Sequence, residues 1–293
     1  MMKIAFLGPS GSFSHIAAIN LATSEFDVVT NTEFVSMPTI TSLVEAISNS
    51  QVDQAVIPVE NSLAGAVGET LDALLKYNGA YINKEYLLSI KHCLLSKSDQ
   101  DLNKIEKIIS HPMSFAQCGD FIRANCPNAV MEPSPSNSKA AIDANNSLED
   151  DYTAAIAPEF CAKLYNLKIL RKAINDSQNN ITRFWLLSNT PSDYIEGKDA
   201  KTSIIFQIVD EPGSLHRVLK AFSDHGINLS RIESRPSKNL LGSYLFSVDC
   251  NAHRDEEKFV TAMRDLSMYF NYYKWLGSYH ISSKPRVEES LTN

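Results

Sequence analysis

Cysteine is scarce in this 293-residue chain and poorly placed for chemistry. Cys93, Cys118, Cys126, Cys161 and Cys250 form an odd, scattered set without the close pairs that zinc or redox motifs use. A disulfide framework and a metal site are therefore not expected, and the five read as free thiols in a reducing compartment. No cluster of Lys and Arg occurs, and 27 basic residues are outnumbered by 34 acidic ones for a net charge of -7, so the footprint of a nucleic-acid partner is missing. Long apolar runs are missing too. Residues 4–7 stop at Gly8-Pro9, too short for a signal-peptide core or a membrane span, and a cytoplasmic protein without membrane contact is expected. Neither the Walker pattern nor the dinucleotide fingerprint appears, nor any repeat of fixed period.

What is present is ordinary globular material, 44% hydrophobic and long enough for two or three domains. From the N-terminus, strand-like and helix-like stretches alternate: strand 3–7, helix 13–21, strand 26–35, helix 40–47, strand 54–59, helix 67–75. Such alternation predicts a parallel sheet covered by helices. A long apolar-polar segment, 81–95, leads to a second lobe of similar plan, and 181–188 is again strand-like. The polar stretch 189–201 reads as a linker. Beyond it, 203–209, 214–225, 228–232, 243–250, 256–266 and 272–279 follow the strand-helix-strand-strand-helix-strand order of a ferredoxin-like unit. The expected division is a catalytic domain 1–188 (lobe 1 about 1–80 plus 181–188, lobe 2 about 81–180), linker 189–201, sensor 202–281 and polar tail 282–293. A cleft between the lobes is where a small ligand belongs.

Five segments carry candidate chemistry. Gly8-Pro9-Ser10-Gly11-Ser12-Phe13-Ser14-His15 joins the first strand to the first helix, either as a serine-capped turn or as a cradle for a carboxylate or phosphate. Glu60, Asn61 and Ser62 lie beyond a strand's C-terminal end, where open α/β sheets bind ligands, with Gly65 and Gly68 close behind. Ser110-His111-Pro112 opens the second lobe's first helix, with Gln117 within it; a plain N-cap is the alternative. In Thr182-Arg183-Phe184, strand alternation puts Thr182 and Phe184 on one face and Arg183 on the other. There an arginine could hold a carboxylate while the threonine donates a proton or hydrogen bond; an ordinary edge strand is the alternative. Finally, Asp210-Glu211-Pro212-Gly213-Ser214-Leu215 and Glu233-Ser234-Arg235-Pro236 mark the unit after the linker as a small-molecule sensor.

Together and in this order, these segments resemble the prephenate dehydratase family with a C-terminal ACT regulatory domain, up to about Tyr279. Residues 8–15 are similar to its first glycine-rich motif, with Ser12 where threonine is usual. Residues 58–65 with Thr70-Leu71-Asp72 are similar to its second, and Ser110-His111-Pro112, Gln117-Cys118, 153–157 and Thr182-Arg183-Phe184 follow. Met113 stands where the family commonly has glutamine, and Ser214 where it typically has alanine. The resemblance implies a two-lobed α/β catalytic domain like the type II periplasmic-binding-protein lobes, followed by an α+β ACT domain. It implies a carbon–oxygen lyase that turns prephenate into phenylpyruvate on the route to L-phenylalanine, without cofactor or metal.

By the same resemblance Thr182 is the catalytic acid, Arg183 pairs with a substrate carboxylate, and Asn61, Ser62 and Gln117 orient the substrate. Glu60 is catalytic only if protonated or bonded to the substrate hydroxyl, and Ser10, Ser12, Ser110 and Phe184 complete the substrate-binding set. L-Phenylalanine is the implied effector, bound between paired ACT domains by Gly213, Ser214, Leu215, Asn228, Leu229, Glu233, Ser234 and Arg235. That requires a homodimer or homotetramer. Arogenate dehydratase is the alternative within enzymes, and a non-catalytic two-lobed binding protein the alternative outside them. Because Lys3 already opens the first strand, a monofunctional enzyme with no upstream chorismate mutase is expected.

Overall fold

A computed structural model describes residues 1–26, 31–148, 152–237 and 244–281. The expected tail and residues 238–243 lie outside the described residues, as does part of the strand expected over 26–35.

Lobe 1 contains β1 (Met2–Leu7), α1 (Phe13–Phe26), β2 (Thr32–Met37), α2 (Ile40–Ser48), β3 (Gln54–Asn61), β4 (Gly65–Ala66), α3 (Gly68–Lys76) and β5 (Tyr81–Ser89). Lobe 2 contains β6 (Cys93–Ser96), β7 (Lys107–Ser110), α4 (Pro112–Gln117), α5 (Gly119–Asn125), β8 (Val130–Pro133), α6 (Asn137–Asn146), β9 (Thr153–Ala157), α7 (Glu159–Leu164) and β10 (Lys168–Arg171). The chain then returns to lobe 1 as β11 (Ile181–Ser188). The third unit is β12 (Ala200–Ile208), α8 (Ser214–Asp224), β13 (Leu229–Pro236), β14 (Tyr244–Cys250), α9 (Glu257–Leu266) and β15 (Phe270–His280).

In lobe 1 the strand order is β2-β1-β3-β11-β5, with β1 parallel to β2 and β3 and with β11 antiparallel to both its neighbours. Strict alternation of apolar residues covers both faces. Ile4, Phe6, Val56, Phe184 and Leu186 pack under α1, while Ala5, Ala55, Ile57, Trp185 and Leu187 pack under α2 and α3. Lobe 2 repeats the plan in the order β10-β6-β9-β7-β8. The change of lobe expected near Tyr81 falls later: β5 completes the first sheet, and the chain crosses between Ser89 and Cys93. Periodicity cannot reveal this, because two successive strands in different sheets read as one apolar run.

The third unit is an antiparallel sheet in the order β13-β14-β12-β15, with α8 and α9 on one face. Val218 and Phe222 of α8 are fully buried there, each worth about 1.5–3 kcal/mol of transfer free energy. Ile205, Leu276 and Tyr279 share a core cluster with Ile82, Trp185 and Leu187, so the sheet's other face closes on lobe 1. At Gly277 β15 runs so close to β5 that an added Cβ would overlap the backbone of Ile82, and its φ of +151° favours glycine. Gly277→Ala is therefore expected to cost about 1–3 kcal/mol, as for an overpacked core. Denaturant titration, with the wild-type midpoint retained as the contrary outcome, checks this.

Candidate functional site between the lobes and the buried charge cluster behind it

The register of β11 on β3 determines the site. Thr182 lies opposite Asn61, and Arg183 lies opposite Glu60. Opposed residues share a face and successive ones alternate, so one pair points into the cleft and the other points away.

On the cleft side, Asn61 Oδ1 accepts from the backbone N–H groups of Leu63 (3.0 Å) and Ala64 (2.9 Å), which fixes its amide. Its Nδ2 must then donate, and it does so to Thr182 Oγ1 at 2.9 Å and Asn180 Oδ1 at 2.7 Å. Asn180 Nδ2 donates in turn to Gln117 Oε1 at 2.9 Å. The threonine oxygen thus accepts from Asn61, and its own proton has no acceptor among the described residues. From lobe 2, Asn137 Oδ1 accepts from Ser114 Oγ (2.9 Å), Ser110 Oγ (3.2 Å) and His111 N (3.3 Å). That leaves the Asn137 amide nitrogen for a ligand. Asn61, Thr182, Gln117, Ser114 and Asn137, with Phe13, Gly65, Val67, His92, His111 and Met113, line a cleft of about 300 Å³. No Lys or Arg lines it among the described residues.

Only Thr182, Asn61 and Gln117 of the expected catalytic and substrate-binding residues line this cleft. Ser12 Oγ donates to Leu7 O and accepts from His15 N, the helix-capping alternative. Ser10 uses its carbonyl to accept from the Tyr165 hydroxyl, tying the loop to α7. Ser62 Oγ clips β3 to the returning chain, donating to Asn179 O and accepting from Ile181 N. Ser110 is buried against Ile156 O, and Phe184 is buried under α1. His15 is stacked on Phe6, and burial lowers its pKa to about 4, so it is neutral. Asn137 and His92 were not singled out by the sequence, and Asn180 opens the Thr182 segment without a role of its own there. Side-chain amides carry no spacing signal, although a histidine inside the apolar stretch before Cys93-Leu94-Leu95 is a local anomaly.

Arg183 is not at the cleft, because alternation turns it to the far side of the sheet. It forms ion pairs there with Glu60 (3.2 Å), Glu85 (3.0 Å) and Asp249 (2.7 Å), and donates to the Tyr279 hydroxyl at 2.9 Å. Lys201 joins through Glu85, and Arg231 through Glu60 and Glu233. Asp249, Tyr279, Lys201, Arg231 and Glu233 belong to the third unit, so the cluster fastens that unit to the residues next to Asn61 and Thr182. Burial works against the guanidinium charge, but Tyr279, Asp249 and Glu85 outweigh it and hold the Arg183 pKa above its ordinary value. Glu60, also expected at the cleft, is in this cluster for the same alternating reason. Removing one partner strands a buried charge, so Asp249→Ala should cost about 3–5 kcal/mol of unfolding free energy. Equilibrium denaturation measures it, and a loss below about 1 kcal/mol would mean that the cluster is dispensable.

The expected effector residues fall into three groups. Gly213, with φ of +84°, leads into α8, and Ser214 and Leu215 border a small cavity of about 100 Å³ with Ile208, Glu211, Tyr244 and Phe246. Asn228 and Leu229 lie beyond the opposite end of this 11-residue helix, roughly 16 Å away at 1.5 Å per residue. Glu233 pairs with Arg231, Ser234 is exposed, and Arg235 leaves the sensor to bond Gly68 O and, at 3.1 Å, Asp72 Oδ1 on α3. One chain alone does not bring these residues into one pocket.

Two α/β lobes around a polar cleft, with an antiparallel sensor sheet bolted behind, define the class: a two-lobed catalytic fold carrying a regulatory unit. The prephenate dehydratase family model matches residues 4–192 and the ACT domain model matches 202–267. Prephenate dehydratase of Lactococcus lactis subsp. lactis (strain IL1403) is 35% identical over 285 residues, covering 96% of this chain and 99% of that protein. The bifunctional chorismate mutase/prephenate dehydratase of Aquifex aeolicus (strain VF5) is 37% identical over 278 residues, 95% of this chain and 73% of that one. A solved structure of prephenate dehydratase from Arthrobacter aurescens in complex with L-Phe superposes with a TM-score of 0.86 at 29% identity, covering 99% of this chain and 94% of that one. The chain belongs to the prephenate dehydratase family.

Proposed function

We propose that the cleft converts prephenate to phenylpyruvate, carbon dioxide and water. The observation that carries this reading is the Asn61 Nδ2 to Thr182 Oγ1 hydrogen bond, in a chain that belongs to the prephenate dehydratase family. In this reaction the bond between the ring and its carboxylate breaks, its electron pair aromatises the ring, and the ring C–O bond breaks. The departing hydroxide needs a proton. Thr182 Oγ1–H supplies it, and Asn61 Nδ2–H stabilises the charge that develops on Oγ1. Solvent restores the proton to Thr182. A free threonine hydroxyl is a poor acid, so the preorganised donor, not a low pKa, is what the site provides.

With Arg183 turned away, neutral donors hold the two substrate carboxylates: the amide nitrogens of Gln117 and Asn137. Neutral recognition fits the chemistry, because a cation clamped on the departing carboxylate would stabilise the ground state that must decompose. Thr182→Ala is expected to lower kcat by about 10²–10⁴-fold with KM little changed. Phenylpyruvate absorbance after mixing protein with prephenate is the measurement. A near-normal kcat would remove Thr182 from the mechanism.

L-Phenylalanine is the proposed effector, supported by the ACT domain match and by the L-Phe complex of the Arthrobacter relative. Gly213 and Asn228 stand at opposite ends of α8, and a second copy related by a two-fold axis can bring one chain's Gly213 loop to the other's Asn228. A homodimer or a tetramer built from it follows. Arg235 then links the sensor to α3. Arg235→Ala is expected to keep basal turnover within a few-fold while weakening inhibition by L-phenylalanine at least about five-fold, the low end of ordinary allosteric coupling. An unchanged inhibition curve in the variant would take Arg235 out of the coupling.

A further inference from the structure

The hydrogen-bonded chain that begins at Asn61 does not end at Gln117. Gln117 Oε1 accepts from Asn180 Nδ2 and lies 3.0 Å from His92 Nε2. Each amide orientation is forced by the one before it. The backbone N–H groups of Leu63 and Ala64 fix Asn61, Asn61 makes Asn180 Oδ1 an acceptor, and Asn180 makes Gln117 Oε1 an acceptor. The last contact is favourable only if His92 carries its proton on Nε2. Burial lowers the His92 pKa to about 4, with the Gln117 bond working against that shift, so the ring is neutral and Nδ1 is bare. Nδ1 is buried without a hydrogen-bond partner among the described residues, so a proton placed there would find no acceptor.

His92 is also held firmly. Its N–H donates to Asn175 Oδ1 at 2.7 Å, its carbonyl accepts from Ile174 N at 2.9 Å, and the Phe13 ring meets the imidazole edge-on at 5.4 Å.

We propose that His92, as its neutral Nε2–H tautomer, is a positioning residue that locks the Gln117 side-chain amide with its oxygen turned inward and its nitrogen left for a substrate carboxylate. It rests on the proposed prephenate turnover. Two acceptor contacts on Oε1 leave the Gln117 Nε2 hydrogens unused among the described residues, on a residue that lines the cleft. A flipped Gln117 would set its amide nitrogen against the amide nitrogen of Asn180 and present oxygen to a dianion. The lock therefore acts on substrate binding through Gln117, and on the Thr182 proton donor through Asn180 and Asn61.

The test uses the full-length protein. Long-range ¹H–¹⁵N spectra of the histidine rings, with His92 assigned by its loss in His92→Gln, should report a neutral Nε2–H imidazole at pH 7. His92→Leu should lose roughly ten-fold or more in kcat/KM for prephenate, with KM raised, as expected for a flipped or unsatisfied buried amide. His92→Gln keeps an N–H donor at comparable reach and should recover most of that loss. An Nδ1–H tautomer, a folded His92→Leu variant within about two-fold of wild type, or His92→Gln as poor as His92→Leu would overturn the lock. If His92→Leu does not fold, the tautomer decides. If wild-type protein fails to consume prephenate, the proposed activity falls, while the ring tautomer still tests the lock.

Discussion

The antiparallel insertion of β11 between β3 and β5 is the constraint on which the rest depends. It returns the chain to lobe 1 after an excursion of about 90 residues, closes the first sheet, and sets Thr182 opposite Asn61. A pleated strand gives adjacent residues to opposite faces, so the same pairing delivers Arg183 to the back of the sheet with Glu60. The cleft and the interdomain cluster are thus two faces of one register. A one-residue slip would exchange them, placing a buried guanidinium in the cleft and a threonine among carboxylates.

The charge distribution follows. Behind the sheet, cations and carboxylates are nearly balanced, and Arg183, Glu85 and Asp249 are buried, so that losing one of these three strands a charge. In the cleft, neutral amides and hydroxyls work through orientation alone. Neutral donors are weaker individually, but amides held by backbone N–H groups and by one another have little freedom left to lose when a ligand arrives. In the proposed reaction such a site would recognise an anion without matching it with a fixed charge, which suits a substrate that loses one of its two charges as carbon dioxide.

Much of this was legible in the sequence. Alternating segments gave the two lobes, the strand-helix-strand-strand-helix-strand order gave the sensor, and Thr182, Asn61 and Gln117 were named and line the cleft. Alternation even separated Thr182 from Arg183, yet which face met the cleft and which met the sensor depends on how β12 and β15 dock, a long-range contact with no local signature. Ser12 and Ser62 bond the backbone here, and such serines are as suited to backbone capping as to ligand contact, which composition does not distinguish. Asn180, Asn137 and His92 matter only through partners 23 to 119 residues away, so no window of sequence contains their meaning.

Coupling between sensor and cleft has a short physical route. Asp249 and Tyr279 hold Arg183, the chain neighbour of Thr182, while Arg231 holds Glu60, the chain neighbour of Asn61. Arg235 grips α3 independently, at Gly68 and Asp72. A shift of the sensor sheet relative to lobe 1 would strain the Arg183–Asp249 pair first, since it is the buried one and buried ion pairs are intolerant of small separations. Under the proposed pairing of sensors, binding that favours one arrangement would act on β3 and β11 themselves, and the geometry of the Asn61 to Thr182 hydrogen bond is the quantity it would alter. In the proposed mechanism, regulation and proton donation would meet at one peptide bond, between Arg183, held by Asp249 and Tyr279, and Thr182 on the cleft face.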